Sequence, residues 1–304
     1  MKKYEKEVLQ SNLDNEKAVI QKLKKSYKQA LKDINAKIER LMSRQDADMQ
    51  YVIYQVEHQQ ALKQQIEAIL NIMQAEEFVT ISEYITRCYE DGYAGVFYSL
   101  HNQGVPLMLP LDQEAMVQAV QLDSKISEGL YTRLGEDVDE LKKKISAEVS
   151  RSISTAIPYQ QVARNLEKIT NIGYNNAIRI ARTEGNRVNN QAAMNACYKA
   201  KSKGCKILKQ WCATLDAKTR DSHAMVDGEI REVDEKFSNG LMFPSDPNGI
   251  ASEVVNCRCT MLQRAKWGLD EDDLTRLQDR ANFYGLDKTA NFDEFKQKYL
   301  QVKN

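Results

Sequence analysis

Trp211-Cys212-Ala213-Thr214-Leu215-Asp216-Ala217-Lys218-Thr219-Arg220-Asp221-Ser222-His223-Ala224-Met225-Val226-Asp227-Gly228 begins a stretch that closes with Phe243-Pro244-Ser245-Asp246-Pro247 and Asn256-Cys257-Arg258-Cys259. Between positions 211 and 259 lie three of the six cysteines, one of the three histidines, one of the two tryptophans and two of the five prolines. Such a concentration of rare, chemically distinctive residues points to a constrained site. The rest of the chain reads as helical support for it. Asp227-Gly228 is a strong turn pair, and the Asp216 side chain is placed to cap the turn that leads to His223.

Working outward, the character of the chain changes at Gly204. Before it, neither glycine nor proline occurs until Gly92 and Pro106, so long helices are expected. Leu9, Leu13, Ile20, Leu23, Tyr27, Leu31, Ile34, Ile38 and Leu41 form one apolar stripe at helical spacing. A break is expected between Ser43 and Asp48. A second series from Val52 through Leu62, Ile66, Ile69 and Met73 continues to about residue 91. Leu100 to Asp112, with Gly104, Pro106 and Pro110, reads as a loop. Helical spacing resumes around Met116, Val138, Leu141, Ile145 and Val149. Two further helices are expected, one from Pro158 to Ile169 and one from Asn171 to Ala200. Beyond Gly204 come β-prone pieces such as Cys205 to Cys212, then turns, then an acidic helix start at Asp270–Asp273. The expected fold class is mostly α with a C-terminal α+β module. The expected division is a helical arm over 1–150, a compact module over 151–265 and a helical tail over 266–304.

The 304 residues suggest about two domains. With 43 basic and 43 acidic residues the net charge is zero, which argues against a globally basic nucleic-acid binder and leaves room for local patches. Residues 1–44 form one such patch, with 12 Lys/Arg against 6 Asp/Glu. Lys199, Lys201, Lys203, Lys206 and Lys209, bracketed by Tyr198 and Trp211, form another. Each serves either as a solvated face or as a contact for phosphates. No apolar run reaches the length of a membrane span, and no secretory signal or membrane partner is expected. In a reducing cytoplasm the cysteines serve as free thiols or metal ligands rather than disulfides.

Arg182-Thr183-Glu184 with Arg187 places Glu184 and Arg187 three residues apart on one helical face, the spacing of a surface or interdomain ion pair. A catalytic use of Arg182, Glu184 and His223, in a nuclease or an ADP-ribosyl-transfer enzyme, is the alternative. His223, Cys257 and Cys259, with Cys212 as a fourth ligand, make a candidate zinc set. Cys-Arg-Cys is one residue shorter than the usual knuckle gap, and a buried, hydrogen-bonded cluster without metal is the competing arrangement.

The order Ala181-Arg182-Thr183-Glu184, Trp211, Asp216, Thr219, His223, Asp227-Gly228, a proline-containing loop and Asn256-Cys257-Arg258-Cys259 resembles the phage Mu F-like minor head protein family, over about residues 155–263. The resemblance implies a non-enzymatic virion component of a tailed phage or prophage, acting in head morphogenesis. It would be made in the host cytoplasm and located in the capsid interior or at the portal vertex. The implied partners are the portal protein and the major capsid or scaffolding protein, with non-specific double-stranded DNA as a further contact. The implied structural cluster is Trp211, Asp216, His223, Asp227, Gly228, Cys257, Arg258 and Cys259. Many relatives carry a Cys-x-x-Cys pair after the Asp216 turn. Here Arg220 and His223 stand at those two places, and an arginine cannot ligate a metal.

Overall fold

A computed structural model of the chain describes residues 1–42, 51–121, 130–154, 159–266 and 271–302. The expected break between Ser43 and Asp48 lies outside them. The elements run α1 (Lys3–Met42), α2 (Tyr51–His101), α3 (Gln113–Gln121), α4 (Leu130–Ser154), α5 (Tyr159–Ser202), β1 (Lys206–Cys212), α6 (Asp221–Ala224), β2 (Ile230–Glu232), α7 (Ala251–Val254), β3 (Thr260–Lys266), α8 (Glu271–Phe283) and α9 (Phe292–Tyr299). Long helices thus precede a small α+β region, as the glycine and proline distribution dictates. No helix among the described residues is long and apolar enough to cross a membrane.

The chain forms two compact units, and neither is continuous in sequence. Unit 1 comprises residues 1–17, 82–128 and 181–304; unit 2 comprises 18–81 and 129–180. The linear order of arm, module and tail is therefore not the order of compactness, and α1, α2 and α5 each contribute residues to both units. Helical periodicity says which face of a helix is apolar, but not that its two halves serve different cores.

The described residues of unit 2 are all helical. Leu23, Tyr27, Ile34 and Ile38 of α1 are buried, as are Leu62, Ile66, Leu70 and Met73 of α2, Val138, Leu141 and Ile145 of α4, and Val162 and Leu166 of α5. Each set recurs at three-, four- or seven-residue steps, the spacing of a core-facing stripe. Inside this core the Tyr27 hydroxyl donates to Glu77 Oε2 at 3.2 Å. The expected boundary near residue 170 is absent, because α5 runs unbroken through Gly173. A Cβ at Gly173 would come within 3.2–3.3 Å of Tyr27 and Leu141. That glycine marks tight packing rather than a helix end.

Unit 1 joins helix ends to the sheet. A Cβ at Gly92 of α2 would lie 2.2 Å from the Asn189 carbonyl oxygen of α5, so the two backbones are in direct contact. Asn189 Nδ2 donates to the Cys88 carbonyl at 3.1 Å and to Asn12 at 3.0 Å. Buried Asp91 accepts from Ser11, Asn15 and Lys296, and burial raises its carboxyl above the ordinary range despite those donors. The sheet is antiparallel with order β2-β1-β3. Along β1, Ile207, Lys209 and Trp211 are buried, while the alternate positions are half-buried or exposed. That period of two decides the surroundings of every residue on the strand.

Candidate functional site

Trp211 is the pivot. It lies near the end of β1, fully buried, with Ala213, Val226, Phe237, Leu241, Cys257 and Cys259 in the same core cluster. His223 and Phe237 meet it edge-on, with ring centroids at 5.1 and 5.2 Å, the arrangement that aromatic quadrupoles favour. The chain from Trp211 to Gly228 closes on itself. Gly228 N donates to Trp211 O, and Trp211 N donates to Glu229 O, both at 2.9 Å. Gly228 has φ of +79°, a conformation open to glycine at little cost. Asp227 Oδ1 accepts from Ala213 N at 2.8 Å.

Asp216 caps the next turn. Its Oδ1 accepts from Lys218 N at 3.0 Å and from the Thr219 hydroxyl at 3.2 Å. Arg258 grips the same carboxylate with both terminal nitrogens, Nη2 at 2.6 Å from Oδ1. The Arg258 hydrogen bond, followed by that from Lys218, holds Asp216 well below the usual carboxylate range. A pair of this geometry fixes the His223 turn against the Cys257–Cys259 loop. Arg220 adds a second tie, donating to the Val255 carbonyl at 2.6 Å.

These ties bring His223, Cys257 and Cys259 together. Their ligand atoms all lie within 4.8 Å of one another, and all three side chains are buried. His223 Nδ1 is 3.6 Å from Cys257 Sγ and 3.4 Å from Cys259 Sγ. The mutual hydrogen bond of the two sulfurs, and then His223, favours a thiolate at Cys257, while Cys259 is pushed the opposite way. On the other edge of the ring, Nε2 lies 2.9 Å from Glu253 Oε2, at ion-pairing distance although off the line of a regular hydrogen bond. Ser222 donates to the same oxygen at 2.8 Å. Cys212 is not part of this group among the described residues. It follows Trp211 on β1, so strand alternation turns it away from the face that carries the cluster.

The helix motif supports the site from α5. Glu184 and Arg187 pair at 2.7 Å with side-chain exposures of 2% and 0%, and Arg187 also donates to the Ala119 carbonyl at 3.0 Å. The spacing suggests a surface or interdomain pair; the structure buries it, within unit 1. Thr183 accepts from Asn256 N at 3.1 Å, and Asn256 adopts a left-handed φ of +56° just before Cys257. Asn186 and Asn190, which carried no signal in the sequence, both donate to the Cys259 carbonyl, and Asn190 also accepts from Met261 N. Glu253 and Ser222 were likewise unforeseen, since a lone glutamate or serine in a loop region has no distinguishing pattern.

Arg182 points elsewhere. It pairs with Glu16 at 2.6 Å and lines a cleft of about 430 Å³ within unit 1, with Asn12, Tyr84, Cys212, Thr214, Cys257 and Arg258 among its walls. Glu184 and His223 are not on those walls, so the three residues considered for catalysis share no common opening. The lysine run is also dispersed. Lys199 pairs with Asp112, and Lys201 with Asp234. Lys209 is fully buried, donating to the Val233 and Met242 carbonyls at 3.0 and 2.8 Å over the Phe237 ring. Burial lowers the Lys209 ammonium to about 8. Strand alternation thus removes Lys209 from any DNA-facing patch.

Comparison with known proteins places this geometry. The family described as Phage Mu protein F like protein matches residues 143–262. The chain is 29% identical over 266 residues to an NAD(+)–arginine ADP-ribosyltransferase of Enterococcus faecalis, covering 86% of this chain and 55% of that protein. It is 25% identical over 269 residues to the minor head protein GP7 of Bacillus phage SPP1, covering 84% of this chain and 85% of that one. The chain therefore spans about half the length of the first relative and most of the second. No solved structure matches it significantly. Residues 143–262, the part that matches the phage Mu F-like family, contain the Arg182–Arg187 motif and the whole His223, Cys257 and Cys259 cluster.

Proposed function

We propose that the protein is a minor head component of a tailed phage or prophage. On this reading it is made in the bacterial cytoplasm and incorporated at the portal vertex or in the capsid interior. The observation that carries this is the match to the SPP1 minor head protein along most of both chains, joined to the Mu F-like region. The site is consistent with a structural role, because its polar groups bind one another, Asp216 to Arg258 and His223 to Glu253 and the two cysteines. Mass spectrometry of purified procapsids and virions tests the assignment. The chain is expected in both at low copy and should co-purify with the portal protein; absence from both particles would overturn it.

DNA contact is part of the proposal, carried by α1. Lys24, Lys28 and Lys32 recur at four-residue steps, are exposed, and line a shallow groove with Gln21, Lys25 and Gln29. Such a stripe suits phosphates rather than bases. Duplex affinity is expected to fall steeply with salt, and the K24E/K28E/K32E variant should reduce the salt slope by about 3, one per lost phosphate contact. A slope unchanged by the triple substitution would remove this face from the contact.

The transferase relative motivates a second reading, in which Arg182, Glu184 and His223 serve an enzyme. Glu184 and His223 are buried away from the cleft, so no turnover of NAD with an arginine-like acceptor such as agmatine is expected. Turnover by the parent chain that disappears in an E184Q protein shown by circular dichroism to remain folded would reverse the assignment.

A further inference from the structure

The arrangement around His223 is hard to satisfy with hydrogen bonds alone. An imidazole nitrogen carries either one proton or one lone pair, and so serves one partner at a time. Yet Nδ1 faces two sulfurs at nearly equal distances, 3.4 and 3.6 Å. A thiol–imidazole cluster built on a single hydrogen bond would draw one sulfur close and leave the other distant. A cation centred among the three atoms satisfies them all. A tetrahedral zinc with bonds of about 2.3 Å to sulfur and about 2.0–2.1 Å to nitrogen sets those two ligand atoms about 3.5 Å apart. The two observed separations lie on either side of that value.

The opposite edge of the ring shows the same preparation. Glu253 Oε2 stands 2.9 Å from Nε2 and is itself held by the Ser222 hydroxyl. A negative charge that close favours the ring proton on Nε2 through electrostatics, without an aligned hydrogen bond, and so favours a lone pair on Nδ1, the nitrogen that faces the sulfurs. Carboxylates occupy this place behind metal-bound histidines in general, where they fix the tautomer and orient the ring. Three features thus point the same way: two cysteines from one short loop, a histidine from a neighbouring turn, and a half-buried acidic partner behind it.

We infer that His223 Nδ1, Cys257 Sγ and Cys259 Sγ bind a thiophilic divalent cation of the zinc class, with Glu253 as a positioning residue and Cys212 outside the set. Two sulfurs and one imidazole favour zinc over magnesium or calcium, which take oxygen ligands. Among the described residues no fourth histidine, cysteine or carboxylate joins the group, which leaves the fourth position to solvent. The bound ion would cross-link the His223 turn to the Cys257–Cys259 loop, reinforcing the Asp216–Arg258 and Arg220–Val255 ties. This inference does not depend on the head-protein assignment.

The test is made on the full chain, purified without chelator. Elemental analysis is expected to give about one zinc per chain in the parent and in C212S, and far less in C259S. Replacing zinc with cobalt(II) should give the intense visible bands of a tetrahedral ion with thiolate ligands. E253Q keeps the ligands and should weaken zinc binding by about 10- to 100-fold in competition with a chromophoric chelator. This arm stays informative if C259S fails to fold. Zinc well below one per chain in the parent, with cobalt retaining its aqueous spectrum, would overturn the site. Loss of zinc from C212S would overturn the three-residue ligand set. Unchanged affinity in E253Q would remove Glu253 from its role.

Discussion

At the scale of single residues, the interior ion pair of Glu184 and Arg187 is the feature most sensitive to change. Both side chains are withdrawn from water and meet at 2.7 Å, so the loss of either leaves a charge without compensation. E184Q is expected to lower unfolding free energy by roughly 3–5 kcal/mol, whereas the double variant E184L/R187M, which removes both charges at similar volume, should cost far less. Urea titrations of the three proteins decide this; equal losses in E184Q and the double variant would argue against charge as the cause. The residues themselves were legible in the sequence by type and spacing, but their burial was not. Three-residue spacing places two side chains on one face, and says nothing of what covers that face. Trp211, His223, Cys257 and Cys259 were easier, because rare residues gathered in a short span imply proximity whatever the fold. Glu253 gave no such signal, since glutamate is common and its importance here comes only from the neighbour it faces.

At the scale of elements, glycine placement separates close packing from tolerance. Gly92 sits where α2 touches the α5 backbone, and a methyl group there would meet the Asn189 carbonyl oxygen at 2.2 Å. Backbone cannot rotate aside, so the helices must separate. Gly135 in α4 has only the Gln74 side chain nearby, at 3.7 Å. G135A is therefore expected to stabilise the protein by about 0.5–1 kcal/mol through helix propensity, while G92A should destabilise it despite the same gain. Thermal melts of the two variants would show opposite shifts; a rise in both would mean that the α2–α5 approach is not constrained. The sequence made the helices plain and the α5 continuity obscure, because two helical series that meet near residue 170 read alike as one helix or two until the packing of Gly173 against Tyr27 and Leu141 is seen. Strand alternation was equally hidden within the Lys199–Lys209 run. A list of lysines does not reveal that Lys209 falls on the inward phase of β1 while Lys206 falls on the outward one.

At the scale of the whole molecule, stability should depend on pH through the core of unit 2. Burial raises the Glu77 carboxyl from 4.5 to about 7, against the opposing hydrogen bond from Tyr27. Between those values the folded chain holds a proton that the unfolded chain has released, so this contribution is complete below about pH 4.5 and is lost as pH rises through 7. The difference corresponds to roughly 3 kcal/mol at most. The loss in urea midpoint between about pH 5 and about pH 8 should be smaller in E77Q, which stays neutral throughout; identical pH profiles for the two proteins would contradict this. The division into units was the least legible property of all, because it depends on which distant segments meet. Residues 1–17 share a unit with 181–304, and Glu5 pairs with Arg264 across 259 positions of chain. On the ribosome, the first helix therefore emerges long before the strand that it will hold. Residues 18–180 contain every segment of unit 2 and can condense while synthesis continues, whereas unit 1 must wait for the chain beyond the Cys257–Cys259 loop. A chain stalled before that loop would carry an unsheathed amino-terminal segment, because the partners of Glu5 and Asp91, Arg264 and Lys296, both lie beyond it.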